Sequence, residues 1–108
     1  MEVSRGDLVI GVFAGNYGKP RPALVIQDNS FRIDSLTLLP LTSDLRHSPT
    51  MRIDVAPSSE NGLREASQIM IDKVATVTVQ KIRQRIGRVD AATVRAVERA
   101  LARFLGLE

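Results

Sequence analysis

Three polar residues stand where predicted strands end, and their types suit chemistry on a phosphate group. Arg21 lies between Pro20 and Pro22, which restrict its backbone. Thr42 follows a later β-rich run, and Asp72 interrupts another. An arginine neutralises a phosphate while forming two hydrogen bonds, and a threonine hydroxyl can donate to a non-bridging oxygen or a leaving group. Because strand ends on one rim of a small barrel converge, we expect these side chains to lie close together.

RNA is a substrate that such a site could cleave, because its own 2′-OH can attack the adjacent phosphate. One cation, one hydroxyl donor and one positioning carboxylate would then suffice without a metal. A structural interpretation remains open from the residues alone. Arg21 could be solvated, Thr42 could only cap a helical turn, and Asp72 could only stabilise a bend.

Other kinds of site lack the residues that they need. His47 is the only histidine and there is no cysteine, which excludes thiolate sites and a two-histidine ribonuclease mechanism within one protomer. The serines have no such base to activate them, and no phosphate-binding glycine motif precedes a helix. We therefore predict neither a metal nor a cofactor.

The composition indicates a single domain over residues 1–108, with 44% hydrophobic and 25% charged residues. So small a chain buries a limited fraction of its surface, so we expect a homodimer. The absence of an apolar segment at the start predicts no signal peptide or membrane span, and hence a cytoplasmic protein.

The charge is distributed unevenly along the chain. Residues 1–72 carry seven Lys/Arg against nine Asp/Glu, whereas residues 73–108 carry eight against three. A basic third of this kind could attract polyanions, but it is more often a solvated helix face. Charge alone leaves the two interpretations open.

The predicted elements are five short strands and a terminal helix, which indicate a mainly β fold, a small antiparallel barrel or sandwich. Asp90 is a suitable N-cap and Gly106 a suitable C′ residue for the helix. Its apolar stripe should cover one face of the barrel and consists of Val94, Val97, Leu101, Phe104 and Leu105. We expect a short helical turn over residues 42–46, while residues 79–89 fit either a helical turn or an edge strand. The strands are predicted at residues 7–13, 22–27, 35–41 with an end at Pro40, 51–55, and 68–77 with a break at 72–73.

The ordered motifs of this chain resemble the MazF/PemK family of toxin endoribonucleases. The segment Lys19-Pro20-Arg21-Pro22 is the most specific of them. The matching pieces are residues 5–9, 18–26, 40–43, 61–63, 67–72, 76–77 and 86–89, leading to 105–107. The resemblance implies an SH3-like barrel of the MazF/CcdB type, a homodimer, and metal-independent, sequence-specific cleavage of single-stranded RNA by 2′-OH attack.

The same resemblance assigns roles to individual residues. Arg21 and Thr42 would be catalytic, with Asp72 in support. The expected RNA contacts are Asn16, Tyr17, Lys19, Gln68 and Lys73, and Phe13 and Tyr17 are the nearest candidates for base stacking. The chain departs from the family in having Lys73 where a glutamine is common and Met70 where an arginine occurs in some members. The partner implied is a cognate antitoxin, acidic and partly disordered.

Two other functions stay open. The same barrel occurs in CcdB-type toxins, which poison DNA gyrase without cleaving RNA and use aromatic C-terminal residues. This chain ends Phe104-Leu105-Gly106-Leu107-Glu108 and contains no tryptophan, which makes that function the weaker interpretation. The third is a non-catalytic module that binds RNA or protein.

Overall fold

The chain forms an antiparallel sheet with a helix packed against it. A computed structural model describes residues 2–13 and 19–108. Within these ranges, 3₁₀ turns at Ile71–Lys73 and Val79–Lys81 flank the sixth strand. The strands are β1 (Asp7–Val12), β2 (Pro20–Val25), β3 (Ser35–Thr42), β4 (Arg52–Val55), β5 (Ser67–Met70), β6 (Ala75–Thr78) and β7 (Ile82–Arg88), and the helix is α1 (Ala91–Leu105).

The strand β3 organises the sheet because it pairs with three others. The order of neighbouring strands is β4-β5-β3-β2-β1-β7, with β6 paired to β3 outside that path. One edge of β3 pairs with β2, while the other pairs first with β6 and then with β5. This arrangement confirms the mainly β fold with a C-terminal helix.

Pro40 lies inside β3 and does not end it, contrary to the expectation from the sequence. The pairing with β6 stops at Leu38, and the pairing with β5 starts at Leu41. Pro40 therefore stands where one edge of β3 changes partners, so its missing N–H removes no ladder bond on that edge. The strand continues to Thr42.

One further expectation was wrong, and one open choice is settled by the structure. The helical turn over residues 42–46 is absent: Thr42 ends β3, and residues 43–46 form a bend and a loop. The open choice at residues 79–89 resolves into both forms, a 3₁₀ turn followed by the edge strand β7. The described ranges thus hold seven strands where five were expected, because the fifth predicted strand is divided and β7 is added.

The helix α1 begins and ends where its capping residues predicted. The Asp90 side chain accepts a hydrogen bond of 2.8 Å from the Thr93 amide, and Gly106 adopts a left-handed conformation with φ of 70°. Val97 is 2% exposed and reaches the core, whereas Phe104 and Leu105 at the end of the predicted stripe remain exposed. No helix in the described part of the chain has the length and apolar character needed to span a membrane.

The core has two clusters, one on each face of the central strands. Adjacent residues go to opposite clusters, so that Leu8 and Val9 of β1 are both fully buried. Leu39 and Leu38 of β3 divide in the same way. The nearly continuous apolar runs in the sequence follow from this double burial. On β1 and β2 the polar residues are consequently near the strand starts, with Asp7 first in β1 and Arg21 second in β2.

The carboxylate of Asp7 joins β1 to β7 at the edge of the sheet. Its oxygens lie 2.8 Å from Nη1 of Arg88 and 3.1 Å from Nε of Arg85. It also accepts a hydrogen bond of 2.8 Å from the Ser4 amide. Burial raises the pKa of Asp7, but these hydrogen bonds and the charge of Arg85 lower it more, so the pKa lies below its ordinary value.

We predict that Asp7→Asn destabilises the fold at neutral pH by about 1–3 kcal/mol, the range for a lost charge-assisted hydrogen bond. Because the folded pKa is lowered, the contribution of Asp7 is present above the unfolded value near ~3.9 and is lost as pH falls through the folded pKa. Urea unfolding of both proteins from neutral to acid pH measures this. A stability difference that stays constant down to the most acid pH would contradict the assignment.

Candidate active site

A groove of about 770 Å³ brings Arg21 and Thr42 together. Its walls come from the start of β2, the end of β3, the segment before β5, and β7. The lining residues are Ile10, Lys19, Pro20, Arg21, Pro22, Leu41, Thr42, Ser43, Gly62, Leu63, Arg64, Glu65, Ser67, Gln84 and Ile86. Residues far apart in sequence thus converge on one side of the sheet.

Arg21 is held near the start of β2 with its side chain partly exposed. It stands opposite Gly11 of β1. A Cβ on Gly11 would come within 2.8 Å of the Lys81 carbonyl and of the Phe13 ring, so this part of β1 has no room for a side chain. No carboxylate of residues 2–13 and 19–108 lies within ion-pair distance of Arg21. The guanidinium is therefore available to an anion in the groove.

Thr42 presents an oriented hydroxyl to the same groove. It is the last residue of β3 and is 8% exposed. Its Oγ1 accepts a hydrogen bond of 3.1 Å from the Asp44 amide. A hydroxyl that accepts through its oxygen keeps its own proton for donation. Thr42 can therefore donate a hydrogen bond to an acceptor in the groove.

Gln68 lies opposite Thr42 on β5 but has a structural role. Its side chain is 6% exposed and does not line the groove. Oε1 accepts from the Arg46 amide at 3.0 Å and from Arg52 Nη1 at 2.9 Å. Nε2 donates to the Arg46 carbonyl and to Asp54 Oδ1, both at 2.9 Å. All four hydrogen-bonding positions of the amide are used, so Gln68 fixes the loop after Thr42 and has none left for RNA.

Asn61 shapes the wall opposite β3 from a buried position, at 5% exposure. Oδ1 accepts from the amides of Ser58 and Leu63, at 3.0 and 2.9 Å. Nδ2 donates to the Ala56 carbonyl at 2.9 Å. These bonds close residues 56–63 into a compact loop, and the residues that follow it enter the groove.

Two glycines let this loop approach β7 closely. Gly62 has φ of 72°, in the left-handed region that favours glycine, and a Cβ there would overlap the Ile86 carbonyl. A Cβ on Gly87 would overlap the backbone of Glu60 and Asn61. The Arg88 amide also donates to the Glu60 carbonyl at 2.8 Å. Backbone-to-backbone contact therefore sets the width of the groove.

Asp72 and Lys73 are not brought into the groove. After β5 the chain enters the 3₁₀ turn, where Ile71 is fully buried in the core cluster that includes Val97 of α1. The next two side chains are left on the outside, with Lys73 Nζ 3.7 Å from Asp72 Oδ2. The expected convergence of Asp72 with Arg21 and Thr42 is therefore not seen.

The other predicted contacts divide by location. Lys19 lines the groove and is exposed. Phe13 is 5% exposed and belongs to the core, so it offers no surface for base stacking. Asn16 and Tyr17 lie outside the described residues.

Three polar residues of the groove were not predicted from the sequence, namely Arg64, Glu65 and Gln84. The only motif in this region of the sequence is Asn61-Gly62-Leu63. Its part in forming the groove depends on the contact with β7, which the sequence does not show. Lys19, Arg21 and Arg64 give the groove three cations against one carboxylate. The described residues contain no group of three or more His, Cys, Asp or Glu that could hold a metal ion.

Comparisons with known proteins agree with the fold. A family model described as "PemK-like, MazF-like toxin of type II toxin-antitoxin system" matches residues 4–105. A protein of Mycolicibacterium smegmatis named "Probable endoribonuclease MazF" is 40% identical over 105 residues, covering 95% of this chain and 96% of that protein.

Solved structures are similar over nearly the whole chain. One, an endoribonuclease in complex with its cognate antitoxin from a mycobacterial species, has a TM-score of 0.83 at 24% identity, covering 99% of this chain and 98% of its own. A MazE–MazF complex from Deinococcus radiodurans has a TM-score of 0.79 at 21% identity, covering 98% of each chain. These likenesses confirm the predicted SH3-like, MazF/CcdB-type barrel.

We predict that Gly87→Ala destabilises the fold by about 1–3 kcal/mol, since the added methyl must displace the backbone of the loop. Ser59→Ala, in the exposed turn of that loop, should have little effect. Urea unfolding gives the free energies, and backbone amide chemical shifts locate the change. The shifts should move at residues 58–65 and not in α1; an alanine variant with unchanged stability and shifts would contradict the contact.

Proposed function

We propose that this chain, which belongs to the family of PemK-like, MazF-like toxins of type II toxin–antitoxin systems, is an endoribonuclease. The observation that carries the proposal is the meeting of Arg21 and Thr42 in one cationic groove. A module that only binds RNA would not need an unpaired arginine beside an oriented hydroxyl. The 40% identity to the M. smegmatis protein supports the same activity.

The proposed reaction is attack of a ribose 2′-OH on the adjacent phosphorus. The bond from O2′ to phosphorus forms and the bond from phosphorus to O5′ breaks, leaving a 2′,3′-cyclic phosphate and a 5′-hydroxyl. The 2′-OH gives up a proton and the departing O5′ takes one up, so the step needs no redox partner. Arg21 stabilises the negative charge that develops on the phosphate, and Thr42 donates a hydrogen bond to one of its oxygens.

The proposed substrate is single-stranded RNA, cleaved at a short sequence without a metal ion. An open groove with cations along its walls suits a flexible backbone, and Lys19 and Arg64 extend the positive charge beyond Arg21. The buried position of Phe13 shifts the contacts with RNA towards these cations. In a cell, such cleavage of messenger RNA would inhibit translation and growth.

We predict that Arg21→Ala and Thr42→Val each lower the cleavage rate at least about 100-fold, as does the loss of a preorganised transition-state donor. Thr42→Ser keeps a hydroxyl and should recover much of the rate. The measurement is cleavage of a long single-stranded RNA in the presence of a chelator, with mapping of both new ends. Unfolding midpoints of the variants establish that the fold is retained.

Matched controls remove the same side-chain types outside the groove, in Arg32→Ala and Thr78→Val. These variants should cleave like the parent protein. Normal cleavage by both groove variants would refute the assignment of the site. Products with a 5′-phosphate would refute the 2′-OH mechanism, and cleavage lost in chelator would refute metal independence.

We also propose two protein partners, a second copy of the chain and a cognate antitoxin. The exposed apolar residues Phe104, Leu105 and Leu107 at the end of α1 support self-association. The cationic groove suits an acidic, partly disordered antitoxin segment. We predict a dimeric mass by light scattering, and a complex with the acidic product of the adjacent gene. A monomeric mass would eliminate the first partner, and the absence of a complex the second.

A further inference from the structure

Three arginines form a ridge along the outer face of α1. Arg95, Arg99 and Arg103 follow each other at intervals of four residues, and all three are exposed. At 100° per residue they lie opposite Val97, which faces the core. The ridge spans about 12 Å along the helix axis. It accounts for much of the positive charge in the last third of the chain.

The ridge keeps most of its charge because few acids neutralise it. In the part of the chain that the structure describes, Arg95 and Arg99 have no ion pair, and Arg103 Nε lies 4.0 Å from Glu108 Oε1. Asp90 is close enough to Arg95 for their charges to interact, but its carboxylate caps the helix.

The one acidic residue within α1 is turned away from the ridge. Glu98 pairs with Arg5 of the N-terminal segment at 2.9 Å. Like charges four residues apart weaken a helix, so the spacing of the arginines opposes the stability of α1. Neither the core nor the caps of α1 use these side chains, which leaves an external anion as the natural counterpart.

The ridge is separate from the catalytic groove. The groove is lined by β2, β3, β7 and the loop before β5, and no residue of α1 contributes to it. A short RNA that fills the groove therefore need not touch the ridge. A longer RNA has phosphates beyond the groove that can reach a second cationic surface on the same small molecule.

We propose that the arginine ridge of α1 binds the phosphate backbone of single-stranded RNA outside the cleavage site, a role that rests on the proposed ribonuclease activity. Successive arginines on one helix face are separated by about 6 Å, which suits successive phosphates of an extended strand. Guanidinium groups bind phosphates with paired hydrogen bonds. Contacts to phosphates add affinity without sequence preference, so the ridge holds long RNA while the groove selects the cleavage site.

The test compares the parent protein with the triple variant R95Q/R99Q/R103Q, in which glutamine keeps a high helix propensity. A second triple variant with lysine at these positions keeps the charge. A third, R32Q/K81Q/R83Q, removes three exposed cations from other elements and matches the net charge. The binding probe is 2′-O-methyl RNA, which cannot be cleaved by 2′-OH attack, at about 40 and about 8 nucleotides.

For the long RNA, we expect the glutamine variant to bind more weakly and to depend less on salt. Three lost phosphate contacts lower the slope of log K against log salt by about 2, so the parent loses roughly 20-fold more affinity than the variant between about 50 and about 200 mM salt. The lysine variant should restore most of the slope, and the charge-matched variant should behave like the parent. Binding of the short 2′-O-methyl RNA should not change, and neither should cleavage of an unmodified RNA of that length that contains a mapped cleavage site.

Several outcomes would contradict the proposal that the ridge binds RNA. One is an unchanged slope for long RNA in the glutamine variant, and another is an equal effect in the charge-matched variant. A third is loss of binding to the acidic adjacent-gene product with RNA binding intact, which would assign the ridge to protein recognition. These results are independent of the ribonuclease proposal, which fails only if the parent protein does not cleave long unmodified RNA.

Discussion

The contact between the loop at residues 56–63 and β7 is the constraint on which the groove depends. Backbone meets backbone at Gly62 and Gly87, so neither side can adjust by moving a side chain. Asn61 holds the loop in the required shape through bonds to its own backbone. The residues that leave the loop are thereby placed opposite the ends of β2 and β3. The candidate groove is the space left between these two walls.

The burial of both faces of the central strands explains why the candidate functional side chains lie near strand ends. The centres of β1 and β2 contribute side chains to both core clusters and carry no polar side chain. Arg21 is the second residue of β2 and Thr42 is the last residue of β3, and both line the groove. Pairing along the sheet holds both backbones, with Arg21 opposite Gly11 and Thr42 opposite Gln68.

The sequence predicted the parts of this arrangement that depend on local chemistry. The caps of α1 follow from Asp90 and Gly106, and the convergence of Arg21 with Thr42 follows from strand ends meeting on one rim. The position of a side chain relative to elements distant in the sequence was harder to predict. Asp72 was predicted to lie beside Arg21 and Thr42. It faces outward instead, because the preceding residue, Ile71, is buried in the core beside α1. Gln68 was predicted to contact RNA, but its amide makes four hydrogen bonds within the protein. Pro40 was predicted to end β3, because the sequence does not show that β3 changes its pairing partner there.

The strand β7 stands at the end of the ordered sheet, paired to β1 on one side. Irregular pairing at two points bends it, and charged side chains at Arg83 and Arg85 accompany the open edge. Flat, uncharged edges recruit strands from other molecules and seed fibrils, whereas bulges and charges block such growth. The same Asp7 that ties β7 to the sheet also fixes Arg85 beside this edge. The residues that complete the fold at this edge thus also disfavour pairing with strands of other molecules.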